Sequence, residues 1–307
     1  MNTQSSAMPE SFDSPKAAPA AVSQPHPFYW SVRRELWENR FLYAAPFVVG
    51  GVFLVGFFIS LGHLPSRMRA ASALSLEQQR AALFAHYEIM GGVMMFTAIL
   101  VSMFYCLDAL YGERRDRSIV FWKSLPVSDL TTVLAKVSVP LVIVPVIASA
   151  VGSALQLIMM LMSSVVLAAS GLSVAALWSE LPWFKMSLLL LYHILTAHAL
   201  WPAPLYGWML VVSGWARRAT FIWASLPVLA IAGVEAIAFR TSHFLNFVGG
   251  RFIGYAPENM DVVFPTNPMA HVTPGVFFSS PGLWGGLAVT AIFVAIAVSL
   301  RRRQGPI

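Results

Sequence analysis

From Val137 to Ser179 the chain runs for 43 residues without a single Asp, Glu, Lys or Arg. That absence limits what the chain can fold into more than any motif does. A membrane-crossing helix needs about 20 mostly apolar residues to traverse a hydrocarbon core of roughly 30 Å, and ordinary soluble domains carry about 25% charged residues. Here charged residues make up 11% and hydrophobic ones 57%, with a mean hydropathy of +0.68. A soluble globular protein and a globally disordered chain are both excluded. The lone cysteine, Cys106, sits in an apolar run and excludes a disulfide scaffold. The expected fold class is an all-α integral membrane protein.

Charges act as rulers for the spans. No formal charge separates Arg40 from Arg67, so the first span covers Phe41 to Gly62. A second occupies the 19 residues between Glu88 and Asp108, and a third begins just after Lys136. The fourth falls within Met186 to Ala216, the fifth covers Ala219 to Phe239, and the sixth runs from Leu283 to Leu300, where Arg301, Arg302 and Arg303 stop it. The uncharged stretch after Lys136 is long enough for one span plus a surface segment or for a tight hairpin of two. With six spans and an inside N-terminus, 14 of the 20 Lys and Arg residues lie on the inner side and 6 on the outer. A seventh span gives 12 against 8. The positive-inside rule therefore favours six transmembrane helices with both termini cytoplasmic. It also explains the net charge of +6 without nucleic acid, because the basic residues fall between apolar segments.

Residues 1–27, rich in Pro, Ala, Ser and Gln, read as a disordered cytoplasmic tail, and 304–307 as a short C-terminal one. Between them, 28–303 form one six-helix transmembrane domain. Phe28 to Arg40 places Trp30, Arg33, Arg34 and Trp37 at helical spacing, as in an amphipathic lead-in helix lying along the inner interface. Ser75 and Gln78 have capping-box spacing, which predicts that the second helix starts near Leu76, outside the bilayer, and runs to Leu110. The outer segment 241–282 is too rich in Pro for an uninterrupted span and too apolar for a freely solvated loop.

No catalytic signature is present: there is no phosphate loop, no His-Glu-x-x-His and no Gly-x-Ser-x-Gly. No catalytic, cofactor-binding or metal-binding residues are assigned. His193 and His198 stand five residues apart, about 140° around a regular helix, so they are not a chelating pair. Glu235 is the one acid well inside a predicted span, near its outer end. These three are the candidate intramembrane polar residues, with snorkelling for Glu235 and helix–helix hydrogen bonding for the histidines as the plainer readings. Met94, Met95, Met103, Met159, Met160 and Met162 are expected to serve mainly in packing.

The inner loop from Tyr111 to Lys136 is the most informative stretch. Arg114, Arg115 and Arg117 crowd its start, Ile119 to Trp122 form an apolar patch, and Leu125-Pro126-Val127-Ser128 breaks the helix before another begins with Ser128 or Asp129 as N-cap. A short helix carrying aromatics and charge at the cytoplasmic side suits docking to a soluble partner. A plain topology-determining loop is the alternative.

At this loop the sequence resembles the membrane subunits of ABC-2 type transporters. In that family a Glu-Arg pair at the inner end of the second span precedes a short helix, a Leu-x-x-Pro-Val-Ser-like turn and a Lys at the start of the third span. Glu113-Arg114, Ser124-Leu125-Pro126-Val127-Ser128 and Lys136 stand in those places, and the resemblance covers 28–303. The turn itself reads Lys-Ser-Leu-Pro where many members have Leu-Ser-x-Pro. The resemblance implies a permease of the bacterial cytoplasmic membrane. It would pair with a second permease subunit, identical or different, and be driven by separate ATP-binding subunits that carry the ATP and Mg²⁺, this chain holding no cofactor. It further implies export of a hydrophobic or amphiphilic substrate and ATPase docking through Glu113, Arg114, Arg115, Arg117, Phe121, Trp122, Leu125, Pro126 and Ser128. The rivals are a non-transporting membrane scaffold or assembly factor, and a secondary transporter.

Overall fold

The computed structural model describes residues 26–71, 76–253 and 274–307, and all regular structure among them is helical. Six helical stretches are long and apolar enough to cross a membrane. The lead-in helix α1 (Pro27–Glu38) turns at Asn39 into the first of them, α2 (Phe41–Leu61). After the short α3 (Leu64–Ala71) comes α4 (Leu76–Asp108). At 1.5 Å per residue its 33 residues extend about 50 Å, well past the hydrocarbon thickness, as the expected start near Leu76 implies. Ser75 of the expected capping box lies outside the described residues.

Two short helices, α5 (Tyr111–Arg115) and α6 (Ser118–Ser124), lead to the third span. This is one helical stretch of 41 residues, from α7 (Asp129–Ser138) through a π-helical turn at Val139–Ile143 into α8 (Val144–Ala169). The chain does not turn back until Ser170-Gly171, where Gly171 adopts φ +70°, so the hairpin alternative is not formed. Pro140 and Pro145 lie in this helix, and neither can donate an i→i−4 hydrogen bond. The wider turn at Val139–Ile143 absorbs the irregularity at Pro140.

The fourth crossing is more broken than its composition suggests. It begins in α9 (Ala175–Glu180), continues through α10 (Trp183–Leu195) and a second π-helical turn at Thr196–Leu200, and then resumes as α11 (Ala203–Trp215). The apolar stretch of spanning length is Leu177–Leu200, earlier than the Met186 start expected from charge alone. Pro202 is the cause of the break. It has no N–H to offer the carbonyl of His198, and the Tyr206 hydroxyl donates to that carbonyl instead, at 2.8 Å. The fifth and sixth spans are α12 (Thr220–Phe239) and α15 (Pro281–Arg303), separated by α13 (His243–Ile253) and α14 (Pro274–Ser279). Residues 254–273 of the 241–282 segment lie outside the described residues, as do residues 1–25.

Helix α4 is the axis of the bundle, packed by α2, α8 and α11, while α11 pairs along α15. Close approach depends on small residues. A Cβ on Gly50 would lie 2.3 Å from Leu155 and one on Gly152 2.8 Å from Leu190. Met94, Met159 and Met160 are wholly buried in the core beside Leu167 and Leu181, so they pack rather than line an open cavity. By contrast α12 exposes Phe221, Leu229, Val234, Ile237 and Phe239, an apolar surface suited to lipid.

Candidate partner-docking site

Helices α1, α5, α6 and α7 and the C-terminal end of α15 meet at one end of the bundle. The connection starts with Lys136, whose helix turn also buries Thr132, Val133 and Ala135. A lysine only 2% exposed needs acids, because an unpaired buried ammonium costs several kcal/mol. Two acids reach it: Glu35 of α1, with Nζ–Oε1 of 2.8 Å, and Glu113 of α5, at 3.1 Å. Arg34 bridges the same two carboxylates at 2.6 and 2.8 Å. From α15, Arg301 reaches Glu113 at 3.4 Å and also pairs with Asp129, the first residue of α7. The Tyr105 hydroxyl, from α4, donates to Glu35 Oε2 at 2.7 Å. Burial raises the pKa of Glu35, but Lys136 and Arg34 together outweigh it and hold the carboxyl below its ordinary range. The innermost groups, Glu35, Glu113, Lys136 and Arg301, balance in charge, and the cluster joins five helices.

A second set of bonds fixes α5 to the ends of the fourth and sixth spans. Ser213 Oγ accepts from the amides of Leu110 and Tyr111, both at 2.9 Å. Arg114 Nη1 donates to the carbonyls of Gly214 and Ala216 at 2.6 and 3.1 Å, and the Ile307 amide donates back to the Arg114 carbonyl at 3.2 Å. Lys123 of α6 donates to the carbonyls of Gln304 at 2.9 Å and Arg302 at 3.4 Å.

On this base sits an open groove of about 410 Å³ between α1 and the α6–α7 turn. Its walls include Trp30, Arg33, Trp37, Trp122, Leu125 and Pro126. Trp30 is 55% exposed, Trp37 66% and Phe121 59%. Arg33 stacks on both Trp30 and Trp37, and Arg34 lies 4.1 Å over Trp122, so one arginine faces the groove while its neighbour links it to the ion cluster. The turn forms as its residues dictate. Arg117 takes φ +58° to start α6, Leu125 is extended before Pro126, and Ser128 is the N-cap of α7, accepting from the Thr131 amide at 3.0 Å.

The nine expected docking residues are therefore divided. Arg115, Arg117, Phe121, Leu125, Pro126 and Ser128 are exposed and Trp122 is half-buried, whereas Glu113 and Arg114 are each 6% exposed and committed to internal bonds. Only the former group presents surface that another molecule could touch; Glu113 and Arg114 hold the local structure beneath it. Sequence reasoning missed Glu35, Tyr105, Asp129 and Arg301. One signal pointed to them: a lysine heading a 43-residue uncharged run must find carboxylates at its own end of the bundle.

The intramembrane candidates do not converge. Glu235 lies at the far end of α12 and caps α13, with its carboxylate accepting from the His243 and Phe244 amides at 2.7 and 2.8 Å and from Thr241 Oγ1 at 2.8 Å. Buried His193 approaches the Leu189 carbonyl through Nδ1 at 2.8 Å, while the ring of buried His198, in the second π-helical turn, meets no hydrogen-bond partner among the described residues. No group of three potential metal ligands occurs among the described residues. No family model, curated protein or solved structure matches this sequence.

Proposed function

We propose that this chain is the membrane subunit of an ABC-2 type transporter, exporting a hydrophobic or amphiphilic substrate across a bacterial cytoplasmic membrane. It would act with a second permease subunit and separate ATP-binding subunits. The observation that carries the reading is the aromatic groove at Trp30, Trp37, Trp122 and Leu125, with exposed Phe121 against Trp122 beside it, mounted on the ion cluster of Glu35, Glu113, Lys136 and Arg301. A docking surface can drive transport only if a push on it reaches the spans. Here the second, third and sixth spans meet at the ion cluster, and α6 is tied to it by Trp122 under Arg34 and by the bonds from Lys123 to the end of α15. Closure of the ATP-binding subunits against α6 would tilt α1, α7 and the end of α15 together, because separating any one of them exposes an unpaired buried charge. The apolar walls of the spans supply no charged midplane site, which suits an amphiphile better than a bare ion.

Affinity purification of the full chain in mild detergent tests this. The expected co-purifying subunit contains a phosphate loop, and it should be lost when Phe121 and Leu125 are both changed to Ala while the permease still inserts. A double variant that keeps full partner binding and full transport refutes the docking assignment. Recovery of secretion-system components without any ATPase supports the scaffold reading instead.

A further inference from the structure

Beside the docking groove, the same end of the bundle holds a second cavity of about 420 Å³. It is bounded by Arg114, Trp215, Arg217 and the backbone from Gln304 to Ile307. Its size falls within the range of small-molecule sites. Two guanidinium groups line it and no Asp or Glu side chain does. Arg114 is oriented by the carbonyls of Gly214 and Ala216 through Nη1 and of Gly305 through Nε, which leaves Nη2 without a hydrogen bond to the described residues. Arg217 is exposed and makes neither an ion pair nor a hydrogen bond with them. Trp215 is 50% exposed, held edge-on to Trp223 at 5.1 Å, at the level where the fourth span ends and the fifth begins. Arg218, next in sequence to Arg217, and Arg302 and Arg303, just before the Gln304 wall, are also exposed.

We propose that this cavity binds the phosphate of an anionic phospholipid, with Trp215 packing against the glycerol and upper acyl region. The argument rests on charge and position. Arg114 and Arg217 line one cavity with no Asp or Glu side chain to offset them, and guanidinium forks match phosphate oxygens. Exposed tryptophan is typical of the headgroup level, and basic pockets between transmembrane helices are suited to lipid headgroups. Because Arg114 also bonds Gly214, Ala216 and the C-terminal segment, an occupied site would brace α5, and with it the docking platform, against the fourth span. The site stands independently of the ATPase assignment, since it requires only that the helices cross a bilayer.

Native mass spectrometry of the detergent-purified full chain, titrated with phosphatidylglycerol and separately with phosphatidylcholine, tests the proposal. Arg217→Gln is the variant of choice, because Arg217 supports no other bond. Arg40→Gln removes the same charge at the same end of the molecule, from an exposed side chain outside both cavities, and is the control. Phosphatidylglycerol should bind in preference to phosphatidylcholine, Arg217→Gln should weaken it about fivefold, and Arg40→Gln should leave it unchanged. Millimolar inorganic phosphate should not displace the lipid. Equal weakening by both variants would overturn the proposal in favour of diffuse surface charge, and displacement by free phosphate would overturn it in favour of a soluble anion.

Discussion

Replacing Lys136 with Met removes the one ammonium at the centre of the ion cluster while keeping the length of the side chain. Lys136 is 2% exposed and contacts Glu35 at 2.8 Å and Glu113 at 3.1 Å. Breaking a buried ion pair from one side costs about 3–5 kcal/mol, because the remaining charge is stranded. The lower end, about 3 kcal/mol, is expected here, since Arg34 still touches both carboxylates and Arg301 still touches Glu113. Adding Glu35→Gln rebalances the innermost charges, so the double variant should recover at least about 1 kcal/mol relative to the sum of the two single changes. Equilibrium unfolding in mixed detergent micelles, run as a full double-mutant cycle, measures both quantities. A Lys136→Met protein within about 0.5 kcal/mol of the parent, or strictly additive changes, would show that these groups do not act as one unit.

The pH dependence follows from Glu35. Its pKa is lower in the folded protein than the ordinary 4.5, so the unfolded chain takes up this proton first. Its contribution to stability is complete above about pH 4.5 and drains away as pH falls through the folded value, and Glu35→Gln should flatten that acid limb of a stability–pH curve. Ser213→Ala orphans two buried amides, those of Leu110 and Tyr111, and should cost about 1–3 kcal/mol, with faster hydrogen exchange at those two positions; unchanged exchange would remove Ser213 from the linkage. Glu235→Ala should speed exchange at the His243 and Phe244 amides, while Glu235→Gln, which retains an acceptor, should do so less and leave transport intact. Reporter fusions after Arg117, Arg218 and Arg303 should read cytoplasmic and those near Arg69 and Asn259 external, and an external signal at Arg218 would contradict the orientation inferred from charge.

The spans were legible because charge is costly in lipid, and the cost is paid residue by residue. Arg40, Asp108 and Arg301 mark helix ends to within a turn or so, whereas the third helical stretch begins at Asp129, about two turns before Lys136, whose charge Glu35 and Glu113 offset; the start near Leu76 follows from capping-box spacing instead. Local signals also set Ser128 as an N-cap. The fourth crossing was harder to read. The π-helical turn at Thr196–Leu200 and the break at Trp201-Pro202 depend on whether the carbonyl of His198 finds another donor, and Tyr206 supplies it. Nothing in the composition of Met186 to Ala216 reveals that pairing.

The docking loop shows where one-dimensional reading loses its hold. Within the sequence, Glu113 and Arg114 are neighbours in a polar loop, and loop charge is ordinarily exposed. Burial reverses their meaning. Glu113 faces Lys136, Arg34 and Arg301 from three other helices, and Arg114 faces the backbone where the fourth span ends. Glu113→Ala would therefore leave Lys136, Arg34 and Arg301 sharing Glu35 and Asp129, one positive charge in excess inside the cluster, so a loss of partner binding in that variant would report a weakened platform as readily as a lost contact. Phe121 and Leu125 are exposed and carry no such internal bonds, so their removal reports on the contact itself. Separating the two groups gives a mechanical test. Changes at Phe121 and Leu125 should abolish partner binding with stability unchanged. Lys136→Met should weaken stability and coupling together. If Lys136→Met kept normal coupling despite its lower stability, force would have to travel from α6 by a route other than the ion cluster, and the bonds from Lys123 to the end of α15 would be the remaining path.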